Sequence, residues 1–300
     1  MPSDPTTTAL RELLVRQLES WLPAARQRSR RATVALAYAR RDVDSAEAAL
    51  RLVAGQADRL SGLRLTVLVL ADAAADLPAR LGPIEAGLPA DVAVHVVPGD
   101  PSRLPVALKA AGAAGAPLFS FLDADAGTAG APDAAVLRAA AGGRPAEVLL
   151  RAGRAARVEL DAVGFPLVTQ VKLAAADGPT ESITFGTGSD RSLEAFKEAL
   201  WTAADVAGVR LGDPGGRLHD VAGDPDLDPL GRELLAELAR TGPRTVTELR
   251  RHALLATVHR SSDAQRVLTD LLAAGVVTRD PAQGRLGGDV TISSSAGAPA

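Results

Sequence analysis

The feature that most constrains the fold is a regular alternation of short aliphatic runs and amphipathic segments over the first half of the chain. The runs have the length and composition of strands, and the segments between them have helical spacing. The predicted strands are residues 33–38, 63–71, 92–97, 117–122 and 147–150, and the predicted helices are residues 9–27, 44–53, 76–86, 103–114 and 132–141. This alternation predicts right-handed crossovers and a Rossmann-like α/β fold with a mainly parallel sheet.

The alternation of predicted strands and helices ends after residue 150. Two further strand-like runs, residues 166–174 and 181–186, flank the turn signal Asp177-Gly178, and a helix is predicted over residues 192–201. A parallel sheet that gains an antiparallel strand at its C-terminal side is typical of methyltransferase-like Rossmann domains. The predicted domain covers residues 9–211.

The last quarter of the chain has a different pattern. Residues 212–228 are rich in Gly, Asp and Pro and are predicted to be a linker. Helices over residues 230–238, 245–256 and 263–273 precede short strands at 276–278 and 289–293. This order predicts a winged helix-turn-helix over residues 229–293, followed by a disordered tail, 294–300.

Composition excludes several classes of function. The chain has no cysteine, which removes disulfides, thiolate nucleophiles and Cys-ligated metals, and this usage is typical of a reducing, cytoplasmic location. Its net charge of −3 gives no global attraction to nucleic acid or membrane. No apolar run approaches the roughly 18–20 residues of a membrane helix, and the four histidines have no partners at metal-ligand spacing, so no metal site is predicted from them.

The candidate site lies where the fourth predicted strand ends. The run Phe119-Ser120-Phe121-Leu122 is followed by Asp123 and Asp125, and ligands of open α/β sheets bind outside the carboxyl ends of such strands. The two carboxylates could bind a divalent metal, and Leu-Asp-Ala-Asp resembles the Asp-x-Asp motif of GT-A glycosyltransferases. A glycosyltransferase using Asp123 and Asp125 is therefore one alternative function; the other interpretation of the pair is a strand end and an exposed side chain.

The order of parts over about residues 9–280 resembles the three-Cys-motif partner proteins, the TcmP family. The resemblance is carried by the leading helix with its Leu and Trp-Leu pattern, by Ala71-Asp72, by Val97-Pro98-Gly99-Asp100, by Phe121-Leu122-Asp123 and by the segment Ser192–Trp201. It implies a methyltransferase-like Rossmann domain, a helical C-terminal part and S-adenosylmethionine as cofactor.

The same resemblance implies roles for three aspartates. Asp72, after the second strand, would accept the ribose hydroxyls of the nucleoside, or else cap the next helix. Asp100 would face the adenine amino group, or else serve as a turn aspartate before Pro101. Asp123 would orient the reacting group as the catalytic residue.

The chain departs from the family pattern after the first strand. The family has a glycine-containing turn there, whereas no glycine occurs between Arg40 and Ala54. Glycine lets the backbone pass close to the cofactor, so its absence predicts a weakly active or non-catalytic protein, a pseudoenzyme.

A local basic patch in the winged helix offers a third function. The candidate nucleic-acid contacts are Arg250, Arg251, Arg260 and Arg266, although acidic residues are interleaved with them. This pattern predicts either a nucleic-acid-binding regulator with a scaffold Rossmann domain or a module that contacts a protein partner.

Overall fold

The computed structural model describes residues 4–38, 43–71, 76–124, 132–152, 156–176, 178 and 180–295. The helices in these residues are α1 (Pro5–Arg28), α2 (Val43–Gly55), α3 (Leu77–Glu85), α4 (Leu104–Ala110), α5 (Ala134–Ala140), α6 (Ala156–Ala162), α7 (Asp190–Ala207), α8 (Asp228–Thr241), α9 (Val246–Ala256) and α10 (Ser261–Ala273). The strands are β1 (Arg31–Tyr38), β2 (Arg64–Ala71), β3 (Val92–Pro98), β4 (Leu118–Asp123), β5 (Ala146–Arg151), β6 (Leu167–Ala174), β7 (Thr180–Thr187), β8 (Arg210–Gly212), β9 (Leu218–His219), β10 (Arg244–Thr245), β11 (Val277–Asp280) and β12 (Thr291–Ser294). Short 3₁₀ turns occur at Ala57–Leu60 and Pro101–Arg103.

Nine strands form one sheet in the order β3-β2-β1-β4-β5-β7-β6-β8-β9. Strands β1 to β5 pair in parallel, and β7 lies between β5 and β6 and is antiparallel to both. The prediction of a mixed α/β fold with a mostly parallel central sheet is therefore confirmed, and the architecture is consistent with a Rossmann-like fold.

The alternating side chains of the central strands divide the core into two layers. On β1, Val34, Leu36 and Tyr38 belong to the cluster formed with α1, α2 and α7, whereas Ala35 and Ala37 belong to the cluster formed with α4, α5 and α6. Residues of a strand point alternately to its two faces, and here both faces are covered. This explains why β1 and β4 are apolar almost throughout.

Helix α1 is longer than predicted. It begins at Pro5 because the Asp4 side chain accepts a hydrogen bond of 3.3 Å from the Thr7 backbone N–H, and proline is favoured at the first helical position. It continues past Pro23 to Arg28, since Leu22 and Ala25 on either side of the proline are buried in the core. Tertiary packing outweighs the helix-breaking tendency of proline in this place.

The C-terminal part has a hydrophobic core of its own. Helices α8, α9 and α10 pack with a three-stranded antiparallel sheet, β10-β12-β11, around Leu230, Leu234, Leu249, Leu268 and Ile292. Strand β10 was not predicted. Sheet pairing also extends into the segment predicted to be a linker, because β9 pairs with β8 at the edge of the large sheet. Of the predicted tail, residues 296–300 lie outside the described residues.

A buried carboxylate lies at the opposite end of the sheet from the candidate site. Glu147, near the start of β5, is 3% exposed, and its Oε2 accepts a hydrogen bond of 3.4 Å from Gln17 Nε2. Burial raises the pKa of Glu147, and hydrogen bonds from Ser192, Gln17 and Thr187 act in the opposite direction. The folded state therefore favours the protonated carboxyl group.

Replacing Glu147 by glutamine should stabilise the protein at pH 7. A raised folded-state pKa contributes stability below the ordinary value of 4.5, and this contribution is lost as the pH rises through the folded-state pKa. E147Q should increase the free energy of unfolding at pH 7 by about 0.5–2 kcal/mol and have little effect at pH 4, as measured by urea unfolding. The exposed Glu19, replaced by glutamine, is the control. Destabilisation at pH 7 would show that the charged form is the favoured one.

Candidate functional site at the carboxyl edge of the sheet

The carboxyl ends of β1 to β5 meet at one edge of the sheet. Tyr38 is in register with Ala71 and with Asp123, and Ala71 is in register with Pro98. Asp123 ends β4 and Asp100 follows β3 by two residues, so both lie at this edge. Strands β4 and β3 are three strand spacings apart, about 14 Å.

Several parts of the predicted site lie outside the described residues. They are Asp72, Asp125 and the glycine-free turn at residues 39–42. Of the aspartates predicted to form the site, the structure describes Asp123 and Asp100, which lie at the same edge of the sheet at the ends of different strands.

Asp123 lies beside a buried arginine. Asp123 is 1% exposed, and its Oδ1 is 3.6 Å from Nη1 of Arg151, the neighbouring end residue of β5. Arg151 also donates two hydrogen bonds to Glu181 of β7, from Nη2 to Oε1 (2.8 Å) and from Nε to Oε2 (3.2 Å). A cation held between two carboxylates thus joins three adjacent strands.

This ion group was missed by sequence reasoning. The signal for it is an arginine at the end of the buried run Val148-Leu149-Leu150, where an unpaired charge would be costly. Its partner Glu181 is 30 residues away along the chain and comes into contact only through the antiparallel pairing of β5 with β7. The arrangement gives Asp123 a charge-pairing role in the fold in addition to its predicted catalytic role.

Asp100 caps the 3₁₀ turn that follows β3. Its Oδ1 accepts hydrogen bonds from the backbone N–H of Ser102, at 2.8 Å, and from the Ser102 hydroxyl. These bonds lower the pKa of Asp100. The preceding Gly99 has φ +126°, and a Cβ there would lie 2.5 Å from Cδ of Arg103. The geometry corresponds to the turn-aspartate interpretation of Asp100.

Each of the four arginines predicted to contact nucleic acid pairs with a carboxylate. Arg250 is 2.9 Å from Glu194, Arg251 Nε is 2.7 Å from Asp190 Oδ1, Arg266 is 3.0 Å from Asp224, and Arg260 is 3.0 Å from Asp263. An arginine that is paired with a carboxylate attracts a phosphate group less strongly than an unpaired one.

Two of these carboxylates, together with Glu198, form a stripe along α7. Asp190, Glu194 and Glu198 recur every four residues and therefore lie on one face of the helix. Glu198 is 3.9 Å from Arg260, which also stacks 4.8 Å above the Trp201 ring. The basic patch of the C-terminal part thus faces an acidic stripe of the same chain.

The contact between α7 and the C-terminal part also contains a buried lysine. Lys197 is fully buried and donates hydrogen bonds to Thr169 Oγ1 (3.0 Å) and to the carbonyl oxygen of Thr257 (2.6 Å), and Trp201 Nε1 donates to the carbonyl of Val258 (2.8 Å). Burial, and next the charge of Arg157, lower the pKa of Lys197 to about 7.

The sequence itself indicates that Lys197 is buried, because this lysine lies on the apolar face of α7 between Leu193 and Trp201.

The structure adds two findings about the wider chain. Within the described residues, no group of three or more His, Cys, Asp or Glu side chains is arranged to hold a metal ion. None of the helices described above is both long and apolar enough to cross a membrane.

No protein-family model matches the chain, and no curated protein matches it by sequence. The resemblance to the three-Cys-motif partner proteins remains a prediction, and the function has to be argued from the fold and the sites.

Removing the Arg151 guanidinium should strongly destabilise the fold. R151M leaves Asp123 and Glu181 buried without their shared cation, and the loss of one partner of a buried ion pair costs about 3–5 kcal/mol. Urea unfolding monitored by circular dichroism measures the change. Arg80→Met, which breaks an exposed pairing with Asp44 and Glu47, is the control and should have a much smaller effect. Equal effects of the two substitutions would contradict the proposed role of the ion group.

Lys197 should make stability depend on pH in the alkaline range. Its folded-state pKa of about 7 lies below the ordinary value of 10.5, so the unfolded chain binds more protons between these values and stability rises with pH there. In K197M this rise should be absent, and the variant should be less stable at pH 9 by about 1–3 kcal/mol because the Thr257 carbonyl loses its donor. Unfolding curves from pH 6 to 10, with the exposed Lys109→Met as control, test this. An unchanged pH profile in K197M would contradict it.

Proposed function

We propose that this chain is a methyltransferase-fold protein that binds an S-adenosylmethionine-type nucleoside at the carboxyl edge of its sheet and transfers methyl groups weakly or not at all. The observation that carries the proposal is the strand order β3-β2-β1-β4-β5-β7-β6, in which only β7 is reversed among these seven strands. A parallel sheet with one reversed strand towards its C-terminal side is typical of methyltransferase-like Rossmann domains.

The strand order also favours one position for the ligand. The order reverses between β1 and β4, and open α/β sheets bind ligands outside the carboxyl ends of the strands at such a switch point. Tyr38 and Asp123 are in register there. Asp72, which follows Ala71 at the end of β2, is the candidate for binding the ribose hydroxyls.

Two observations support weak or absent catalysis. Asp123, the candidate catalytic residue, is 3.6 Å from Arg151, a cation that it shares with Glu181. The sequence has no glycine between Arg40 and Ala54, after the first strand, where the three-Cys-motif partner proteins have a glycine-containing turn. We infer a divergent relative of that family, and the lack of cysteine supports a cytoplasmic location.

The C-terminal part is proposed to be a winged helix that serves as a contact module. Its element order, α8-β10-α9-α10-β11-β12, supports the winged-helix assignment. The pairing of Arg250 and Arg251 with Glu194 and Asp190 supports an internal contact over nucleic-acid binding. For the glycosyltransferase alternative, the Arg151 guanidinium beside Asp123 is unfavourable, because it would repel a divalent cation.

Calorimetry with S-adenosylhomocysteine tests the proposal. We expect saturable binding to the full chain, at least a tenfold loss of affinity in Asp72→Ala, and no loss in Asp76→Ala, a nearby aspartate at the start of α3. The absence of heat with S-adenosylhomocysteine would overturn the proposal. Heat only with a nucleotide-sugar and manganese would favour the glycosyltransferase, and salt-dependent heat only with duplex DNA would favour the regulator.

A further inference from the structure

A cavity lies away from the carboxyl edge of the sheet. Its volume is about 380 Å³, within the range of small-molecule sites. It is formed by the β8–β9 hairpin, the first turns of α8 and the connection between α9 and α10. The charged and imidazole side chains that line it are Asp213, Arg217, His219, Arg232, Glu233 and His259.

A buried histidine with unused hydrogen-bonding capacity lines this cavity. His259 is 1% exposed, and neither ring nitrogen has a hydrogen-bond partner within the described part of the chain. A neutral imidazole carries one donor and one acceptor, and leaving both unsatisfied in a buried position is costly. The backbone of His259 is fixed, since its N–H donates to Thr257 Oγ1 at 3.1 Å. The ring therefore carries two buried nitrogens for which the described chain supplies no partner.

His219 adds a second imidazole to the same wall. Its ring is 5.0 Å from that of His259 and almost perpendicular to it, and its Nε2 is 3.6 Å from Asp213 Oδ2. Burial, and next the neighbouring His219, lower the pKa of His259 to about 4. His259 is therefore neutral at pH 7 and can donate one hydrogen bond and accept another.

The charges around the cavity are unequally matched. Asp213 accepts a hydrogen bond of 2.9 Å from the Arg217 backbone N–H and faces His219, and Glu233 is 2.8 Å from His252 Nε2. By contrast, the side chains of Arg217 and Arg232 form no ion pair with any residue that the structure describes. The lining therefore combines two acids that have partners among the described residues with two exposed guanidinium groups that form no ion pair with those residues.

We propose that this cavity binds a small molecule carrying an oxyanion group, a carboxylate or a phosphate, which Arg217 and Arg232 hold by charge-assisted hydrogen bonds and to which His259 donates one hydrogen bond from its ring N–H. Guanidinium groups bind both kinds of oxyanion with matching geometry. Pro229, Leu230 and Ala236 supply an apolar side for the rest of the ligand. The proposal is independent of the nucleoside site.

The position of the cavity gives binding a structural consequence. His219 belongs to the edge of the large sheet, whereas Arg232 is on α8 and His259 follows α9. A ligand that contacts all three would bridge the nine-stranded sheet and the C-terminal helices beside the Lys197 and Trp201 hydrogen bonds. Binding should therefore stabilise the contact between these two parts of the chain.

Nuclear magnetic resonance of the full chain with ¹⁵N-labelled histidine rings tests the proposal. Inorganic phosphate and succinate are titrated separately at constant ionic strength. We expect saturable shifts of the His259 and His219 ring nitrogens with at least one probe, no shift of His95 on β3, and a rise of the His259 pKa from about 4. Tighter binding of phosphate would identify a phosphate-bearing ligand, and tighter binding of succinate a carboxylate-bearing one.

The variant Arg217→Gln/Arg232→Gln should weaken this binding at least tenfold. Both side chains are exposed, so the fold should persist, and an unchanged His95 signal would verify this. Arg210→Gln, an exposed arginine on β8 outside the cavity lining, is the matched control and should bind as the unmodified chain does. Linear shifts with both probes, or equal affinity in the double variant, would overturn the proposal.

Discussion

The buried ion group of Asp123, Arg151 and Glu181 is the interaction on which the centre of the molecule depends. It lies where the parallel part of the sheet, ending at β5, meets the antiparallel strand β7. Backbone hydrogen bonds alone specify the register of a strand only weakly. A carboxylate on each side of the buried guanidinium favours one register, because another register would separate these charges from their partners. The same ion group lies at the edge where a ligand of this fold would bind. The Asp123 carboxylate would therefore serve both the fold and any catalysis.

The contact between α7 and the C-terminal helices combines exposed ion pairs with buried hydrogen bonds. The acidic stripe Asp190, Glu194 and Glu198 meets Arg251, Arg250 and Arg260, while Lys197 donates to a backbone carbonyl from the apolar side of the same helix. Exposed pairs of this kind contribute little each, so the buried Lys197 and Trp201 bonds, together with apolar packing, supply most of the specificity. The arginines complement a surface of their own chain.

The sequence predicts most strands of the large sheet because apolar periodicity is a local property, whereas helix α6 and the short edge strands β8 and β9 were not predicted. A short run such as Phe119-Ser120-Phe121-Leu122, apolar and bounded by turn residues, is typical of a strand covered on both faces. The partners of charged residues are not local: Arg151 meets Glu181 across the β5–β7 pairing, and Arg251 meets Asp190 61 residues away. Sequence reasoning therefore located Asp123 and the arginines but assigned them to ligands, since their protein partners become visible only in three dimensions.

The two candidate sites differ in the partners of their polar groups. At the carboxyl edge, Asp123 shares the Arg151 guanidinium with Glu181, and Asp100 accepts hydrogen bonds from Ser102. In the cavity at the β8–β9 hairpin, neither ring nitrogen of the buried His259 has a hydrogen-bond partner in the described chain, and Arg217 and Arg232 are exposed beside it. Polar groups in a folded interior are normally satisfied, so a buried imidazole that is not satisfied points to a ligand or ordered water.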